Sequence, residues 1–277
     1  MISADLGDYA THDAARYPHL WDGCKFAACA ALGATGATSP DFSGNANHLK
    51  MAGSTTTDYL WDRVDGIPAW SFSKADSGRL QSDYSLCFSP ATESFSISCF
   101  ANLKSFSTSN SCQFVTIGTD DYQCLTFGVY YEQFVLISGQ SGSWDFNWSG
   151  VIASFNKNYY ISYVCDRHNN VSKFYIDSFH VKTSYAPTIE FNNLTIKIGS
   201  HYGEPHHWAH SLYMSDCYMD DIRIYNRVLD PDEIQLLSRQ RGISYIRRPR
   251  RIISLPRFNP ALAQRSNIIL PAGVWTY

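Results

Sequence analysis

The sequence lacks several features that define large classes of protein. No apolar run approaches the roughly 20 residues that a membrane-spanning helix needs. The first 20 residues have no basic start followed by an apolar core, so they do not resemble a secretory signal peptide. Because these features are missing, we predict that the protein has no membrane partner and is not exported through a cleaved signal.

Motifs of common enzyme classes are also missing. There is no Gly-x-Ser-x-Gly elbow and no phosphate-binding loop. Glycosidases need two carboxylates at a fixed separation across a cleft. The glutamates of this chain are widely separated: Glu93, Glu132, Glu190, Glu204 and Glu233. The sequence therefore predicts a protein that is not an enzyme.

Metal-binding signatures are weak. The eight cysteines include no Cys-x-x-Cys pair, which disfavours a cysteine zinc site and indicates thiols that act as small hydrophobic residues. His206 and His210 lie four residues apart within HYGEPHHWAH, but Pro205 favours a loop over a metal-binding helix. We interpret this stretch as a polar loop, with a metal site as the alternative.

Charge is distributed unevenly along the chain. From Arg239 onward there are eight arginines and no acidic residue. Removing these eight from the 22 basic residues leaves 14 against 25 acidic ones, so residues 1–238 carry a net charge of -11. The chain thus has an acidic body and a basic tail.

The composition favours an all-β protein. Aromatic residues make up 15% of the chain, and such residues are enriched in strands. Residues 95–101 (FSISCFA) alternate strictly, as a strand does. Trp144, Phe146 and Trp148 also alternate, so they share one face, either buried or displayed.

The stretch from Met219 to Gly242 is predicted to form a strand followed by a short helix. Ile222 and Ile224 alternate with polar residues, which is the period of a half-buried strand. Asp230 is a suitable N-cap, and Glu233 follows three residues later, where a capping box requires it.

Several segments resemble, in the same chain order, the laminin-G-like (concanavalin A-like) jelly-roll family. They are DFSGNANH at 41–48, FSISCFA at 95–101, YISYVCD at 160–166, LTIKIG at 194–199 and IYNRVL at 224–229. The resemblance implies an antiparallel jelly-roll β-sandwich with one short helix and an extended C-terminal arm. It does not by itself imply a function, because this sandwich hosts lectins, glycosidases and structural domains.

The resemblance also implies a calcium site. In the family, the turn at 41–48 commonly contributes ligands to calcium, for which oxygen donors are suited. The candidate ligands are Asp41, Ser43 and Asn45, joined by Asp220, which we expect at a sheet edge. An Asx turn without an ion is the alternative. No other cofactor is predicted.

A second candidate site is aromatic. Exposed aromatic rings stack on the apolar faces of sugars, and buried packing is the alternative for each of them. The candidates for carbohydrate contact lie in or near predicted loops: Trp144, Trp148, Tyr202 and Trp208.

The chain changes character after Gly242. Residues 243–277 combine four prolines with arginines and scattered apolar residues. Proline excludes helices and central strands, while the apolar residues favour burial, so we predict an extended arm that docks on another surface. The docking residues are expected to be Arg247, Arg248, Arg250, Arg251, Phe258, Trp275 and Tyr277.

Three parts are therefore predicted: a leader (1–19), a sandwich (20–242) and a docking arm (243–277). A single sandwich with such a tail is similar to virion proteins of tailed bacteriophages, in which these modules decorate capsids or form fibres and appendages. The resemblance implies a structural virion protein, assembled in the host cytoplasm and anchored by its arm to virion subunits or sister copies. Attraction between basic arm and acidic body favours a protein partner over nucleic acid. The alternatives are a carbohydrate-binding adhesion module and a degenerate glycosidase.

Overall fold

The computed structural model describes most of the region between Ala10 and Arg247. The described residues are 10–12, 17–30, 38–52, 61–72, 79–83, 85–105, 112–120, 123–140, 143–190, 195–199, 216–239, 241–242 and 245–247. They form eighteen β-strands and one α-helix, α1 (Pro231–Arg239). The strands are β1 (Ala10–His12), β2 (Cys24–Ala28), β3 (Thr38–Ser39), β4 (Leu49–Ala52), β5 (Trp61–Val64), β6 (Ile67–Phe72), β7 (Arg79–Ser82), β8 (Phe95–Ser105), β9 (Cys112–Asp120), β10 (Gln123–Tyr130), β11 (Gln133–Gln140), β12 (Ser143–Ile152), β13 (Asn158–Asp166), β14 (Val171–Ile176), β15 (Phe179–Tyr185), β16 (Ile196–Ile198), β17 (Asp216–Tyr225) and β18 (Tyr245–Arg247).

Two antiparallel sheets pack face to face. The first sheet has the strand order β12-β11-β10-β9-β16-β7-β4-β3. The second has the order β15-β14-β13-β8-β17-β6-β5, and β2 also pairs with β17. Side chains from both sheets meet in one apolar core, where Phe127 of β10 packs on Phe174 of β14 at a ring-centroid distance of 6.1 Å. The predicted jelly-roll β-sandwich is confirmed.

Strand β17 runs through the middle of the second sheet. It pairs with β8 on one side, and on the other side with β6 along its first half and β2 along its second half. Ile222 and Ile224 point into the core, as predicted. A half-buried strand would have an exposed opposite face. On β17 that face is buried as well, because Asp221 and Arg223 are also buried. They form an ion pair, with Arg223 Nε 2.8 Å from Asp221 Oδ1.

A second apolar layer explains why both faces of β17 are buried. Helix α1 and the 3-10 turn Pro18–Leu20 contribute to an apolar cluster on the outer face of the second sheet. This cluster includes Leu20, Tyr225, Ile234 and Leu237. The charged pair on β17 therefore lies between the sheet and this layer, away from water.

Helix α1 begins as the sequence predicts. The Glu233 N–H donates to Asp230 Oδ1 at 2.8 Å, and the Asp230 N–H donates to Glu233 Oε2 at 3.1 Å. These reciprocal bonds form a capping box. Among the described residues, no helix is long and apolar enough to cross a membrane, and α1 has nine residues.

The predicted leader and arm contact each other. Strand β1 pairs with β18, with Ala10 opposite Arg247. Between α1 and β18, the Gly242 N–H donates to Asp221 Oδ2 at 2.7 Å, and Arg241 Nη2 donates to the Val64 carbonyl at 3.1 Å. The start of the C-terminal segment is thus held on the second sheet. The predicted boundaries of leader and arm stay predictions.

All eight cysteines are free thiols, and seven are buried. Burial raises the pKa of the Cys24 thiol to about 12 and that of Cys165 to about 11. Both thiols are therefore neutral at pH 7, as expected of side chains that act as small hydrophobic residues.

Candidate functional site

Three aromatic residues of β12 lie on the outer face of the first sheet. Between them, Asn147 points towards the second sheet, where its Oδ1 accepts a hydrogen bond of 3.0 Å from Ser172 Oγ. Because side chains alternate along a strand, Trp144, Phe146 and Trp148 point the opposite way. The face that they were predicted to share is therefore displayed rather than buried.

Two of these residues form an aromatic cluster with Tyr130 of β10. The ring centroids of Tyr130 and Phe146 lie 5.7 Å apart, those of Tyr130 and Trp148 6.0 Å, and those of Phe146 and Trp148 5.6 Å. The three ring planes lie within 24° of one another. On the intervening strand, Val135 pairs with Trp148 and Ile137 with Phe146, and both aliphatic side chains are buried. The cluster thus rests on an apolar base.

The aromatic cluster has an exposed rim. Trp144 and Phe146 are each 37% exposed, while Tyr131 is 62% and Ile152 is 64% exposed. Tyr131 stands in the tight turn between β10 and β11, where it and Glu132 have φ angles of +44° and +66°. Two consecutive residues with positive φ angles give the turn a twist that matches the twist of the flanking strands. The rim offers apolar surface at the edge of the sheet, a typical feature of contact sites.

The middle of the same face is less accessible. Thr116 of β9 and Thr126 of β10 lie on it, with their hydroxyl oxygens 3.3 Å apart, and both are buried. The described aromatic surface of this face therefore lies at the β12 edge, in the aromatic cluster and its rim.

The sequence identified part of this site. Trp144 and Trp148 lie on one face of β12, as their alternation predicted, and their contact with carbohydrate stays a prediction. Tyr202, Trp208 and the histidine-rich stretch 201–210 lie outside the described residues. Sequence reasoning missed Tyr130, which joins the cluster across a strand, because contacts between strands depend on their register.

The candidate calcium ligands form a closed turn. Asp41 Oδ1 accepts from the N–H groups of Ala27 and Ser43 at 3.0 and 2.9 Å. Its Oδ2 accepts from Ser43 Oγ and the Asn47 N–H, both at 2.9 Å. Asn45 Nδ2 donates to two carbonyl groups of β2 at 3.1 and 3.2 Å. Since a carboxylate accepts about four hydrogen bonds, protein donors saturate Asp41 in this arrangement.

Asp220 lies at a different point of the fold. It is buried at a bulge in the middle of β17, so its expected place at a sheet edge is wrong. Its Oδ1 accepts from the N–H groups of Ala30 and Asp221 at 2.6 and 2.8 Å, and its Oδ2 lies 3.6 Å from Arg241 Nη1. The residues that the structure describes contain no group of three or more His, Cys, Asp or Glu suited to a metal. The calcium site stays a prediction.

The surroundings of Asp220 change its protonation. Burial, followed by the charge of Asp221, raises the pKa of Asp220 to about 6, although Arg241 acts in the opposite direction. A pocket of about 100 Å³ opens beside it and is also lined by Asn102 and Tyr218.

The predicted docking arm is described only at its start. Arg247 is the last residue of β18, and the arm residues Arg248, Arg250, Arg251, Phe258, Trp275 and Tyr277 lie outside the described residues. Docking through the arm stays a prediction.

Solved structures with this fold include domain 4 of AbnA, a GH43 extracellular arabinanase from Geobacillus stearothermophilus, in complex with arabinotriose. The TM-score is 0.60 at 15% identity, over 78% of this chain and 98% of that domain. The binding domain of botulinum neurotoxin DC, in complex with rat synaptotagmin II, matches with a TM-score of 0.58 at 14% identity, over 79% of this chain. The chain spans 52% of the length of that toxin domain. At these identities the likeness shows the fold alone.

Sequence comparison gives the family. A search of curated proteins finds no match. The family model of the concanavalin A-like lectin/glucanases superfamily matches residues 72–235, which include the aromatic cluster, all of β17 and the start of α1. The chain therefore belongs to the concanavalin A-like lectin/glucanases superfamily.

Proposed function

We propose that the protein is a non-catalytic binding module that contacts carbohydrate through the aromatic cluster and its rim. The observation that carries the proposal is the set of partly exposed aromatic side chains on the outer face of β12. Aromatic rings offer a large apolar surface to a ligand whose other groups remain hydrated. The complex of the arabinanase domain with arabinotriose supports the proposal as an analogy of fold.

The function is tested with a glycan array probed by the full chain. Trp144→Ala removes an exposed ring of the rim, and we expect the affinity for any captured glycan to fall by about tenfold. Phe179→Ala is the matched control, because Phe179 is an exposed aromatic residue on the edge strand of the other sheet. Equal binding by the wild type and Trp144→Ala would exclude this site.

The absence of catalysis is part of the proposal. Two of the described glutamates are engaged in the fold: Glu93 Oε1 accepts from the Ser89 N–H at 2.6 Å, and Glu233 belongs to the capping box. Release of reducing sugar from a captured glycan by the wild-type chain would contradict this part of the proposal.

We also propose that the module is carried on a tailed-phage virion, with the sandwich displayed outward and the arm anchored to neighbouring subunits. Support comes from the resemblance in sequence, from the net charge of -11 in residues 1–238, and from the basic tail. The start of that tail is held on the sandwich by hydrogen bonds of Arg241 and Gly242, which is compatible with an anchoring role.

Structural calcium at Asp41, Ser43 and Asn45 is retained as a proposal, without Asp220, whose carboxylate contacts Ala30, Asp221 and Arg241 at a different point of the fold. Since Asp41 already accepts four hydrogen bonds, an ion would have to replace some of these donors. A melting temperature that is equal in calcium and in chelator would exclude the site.

A further inference from the structure

The outer face of the second sheet carries a row of polar side chains at the pocket beside Asp220. Asn158 of β13 pairs with Asn102 of β8, and Asn102 pairs with Tyr218 of β17, so these residues lie side by side across three strands. All three line the pocket, together with Asp220. Arg241 lines it from the segment that follows α1. The pocket therefore lies where three neighbouring strands and the start of the C-terminal segment meet.

A chain of hydrogen bonds fixes the orientation of the Asn102 amide. An ionised carboxylate only accepts hydrogen bonds, and Asn158 Nδ2 donates to the carboxylate of Asp65. Asn158 Oδ1 therefore faces Asn102, whose Nδ2 donates to it at 2.7 Å. This leaves Asn102 Oδ1 as a buried acceptor that has no hydrogen-bond partner among the described residues. Because a buried acceptor without a donor is unfavourable, a bound molecule that donates to this oxygen would stabilise the site.

The charges in the pocket compensate each other. Arg241 Nη1 lies 3.6 Å from Asp220 Oδ2, and both side chains are largely buried. A bound anion would lie close to the Asp220 carboxylate, and a bound cation would lie close to the Arg241 guanidinium. Either ion would therefore meet a charge of its own sign, which is unfavourable. The pair thus favours a neutral ligand.

The rest of the pocket is mostly apolar and small. Its other lining residues are Val64, Ala69, Phe100, Ala101 and Met219. A few polar groups among apolar walls are typical of small-molecule sites. The volume of about 100 Å³ has room for several water molecules, and so for a molecule of a few heavy atoms or one end of a larger molecule.

We propose that this pocket binds a neutral molecule with two adjacent hydroxyl groups, either a small polyol or the terminal sugar residue of a glycan. A hydroxyl group can donate and accept at the same time. One hydroxyl group donates to Asn102 Oδ1, and its neighbour donates to the Asp220 carboxylate and accepts from the Arg241 guanidinium. The site lies on the second sheet, so the proposal does not rest on carbohydrate contact at the aromatic cluster of the first sheet.

The spacing of Asn102 and Asp220 fits two adjacent hydroxyl groups. Asn102 lies opposite Tyr218, and Phe100 lies opposite Asp220, so Asn102 and Asp220 are diagonal neighbours on adjacent strands. Such neighbours lie roughly 7 Å apart. Two hydrogen bonds of about 2.8 Å each leave room for a short hydroxyl-bearing unit between the two side chains. A single hydroxyl group has one proton and cannot donate to both acceptors, which is why the proposal requires two.

Titration of the full chain tests the proposal through the side-chain amide signals of Asn102 and Asn158 in NMR spectra. The probes are glycerol and the methyl glycosides of glucose, galactose, mannose and arabinose, and 1,3-propanediol is the control without adjacent hydroxyl groups. We expect saturable shifts with a dissociation constant on the order of 1 to 10 mM. Saturation by glycerol would identify a polyol site, and saturation by a glycoside alone would identify a site for a sugar residue. No saturable shift with any probe, or equal saturation by 1,3-propanediol, would overturn the proposal.

A variant tests the role of the Asn102 oxygen, whereas the titration of the wild type does not depend on a variant folding. Asn102→Ala removes the acceptor, and we expect the dissociation constant of the bound probe to rise by at least about fivefold. Asn47→Ala is the matched control, because it removes a buried asparagine side chain at another point of the fold and should leave the dissociation constant unchanged. Circular dichroism checks that both variants fold. Equal affinity of Asn102→Ala and the wild type would overturn the proposal, and binding that is lost in Trp144→Ala instead would assign the probe to the aromatic cluster.

Discussion

Arg227 joins three segments of the chain. Its guanidinium binds Glu233 of α1 through two hydrogen bonds of 2.7 Å each. It also donates to the carbonyl groups of Asp22 at 2.8 Å and His19 at 2.6 Å. A planar guanidinium can make these contacts at once, which a lysine could not. Arg227 therefore fixes the start of α1 and the 3-10 turn Pro18–Leu20 on one side of the sandwich.

We expect Arg227→Met to lower the free energy of unfolding by about 2 to 3 kcal/mol, because it leaves the mostly buried carboxylate of Glu233 without its cation. Urea unfolding measures the change. Lys50→Met is the control, because it breaks an exposed ion pair with Asp83 and should cost at most about 1 kcal/mol. An equal decrease in the free energy of unfolding for both variants would show that the bidentate pair stabilises the fold no more than an exposed ion pair does.

Asp220 makes stability depend on pH. Its ordinary pKa is 3.8, and in the fold the value is about 6. At Asp220 the folded state therefore binds more protons than the unfolded state in this range, so we expect the contribution of this residue to be lost as the pH rises from about 4 through about 6. The difference in pKa corresponds to about 3 kcal/mol at most.

We expect Asp220→Asn to flatten this decline, because the amide keeps an oxygen that accepts the Ala30 N–H but no longer titrates. Urea unfolding at pH 4, 5, 6 and 7 compares the variant with the wild type. Asp83→Asn, at an exposed carboxylate, should preserve the wild-type slope. An unchanged slope in Asp220→Asn would mean that other groups set the pH dependence.

At the scale of elements, Gly199 allows β16 to approach β6. Its φ angle is +84°, and its N–H donates to the Phe114 carbonyl at 3.0 Å. A Cβ atom here would lie 2.2 Å from Cδ1 of Phe72, which is buried in the core. The position therefore requires glycine both for its backbone angle and for space.

We expect Gly199→Ala to destabilise the protein by more than about 3 kcal/mol, since steric clash adds to backbone strain. Gly66→Ala is the matched control, with a φ angle of +75° and no atom within 4 Å of the added Cβ. It should cost only the strain, about 1 to 2 kcal/mol. Thermal unfolding of the two variants separates the cost of the clash from the cost of the backbone strain. Similar losses of stability in both variants would contradict the clash.

Local sequence patterns predicted single strands and helices better than the contacts between them. Strict alternation identified β8, and the Asp230 and Glu233 spacing identified the start of α1, because both depend on residues close in sequence. The contacts of Tyr130 with Phe146 and Trp148 depend on the register of three strands, which alternation does not specify. The bulge at Asp220 was missed for the same reason, since it lies between the residues of β17 that pair with β6 and those that pair with β2.

At the scale of the whole molecule, the segments before and after the sandwich are linked through the pairing of β1 with β18. Truncation at Gly242 would remove β18 and expose the turn held by Asp221. A clean test of the arm therefore removes residues 248–277 and keeps β18.

If the module is carried on a virion as proposed, this deletion should leave the sandwich folded and abolish incorporation into particles, because it removes five arginines and most of the apolar residues of the arm. Circular dichroism checks the fold, and co-sedimentation with particles in an infected host checks assembly. As a matched control, replacing residues 248–277 with a Gly/Ser segment of the same length separates loss of sequence from loss of length. Normal incorporation of the deleted chain would contradict an anchoring arm.

The attachment of Arg241 and Gly242 also determines how the module would bear mechanical load. A pull on the chain beyond Arg247 runs along β18 and reaches Gly242 before it reaches α1. There, the bond to Asp221 and the contacts of Arg241 transfer the force to β17 and β5. We therefore expect tension to spread into the middle of the second sheet before it reaches α1, because β17 pairs with strands on both sides.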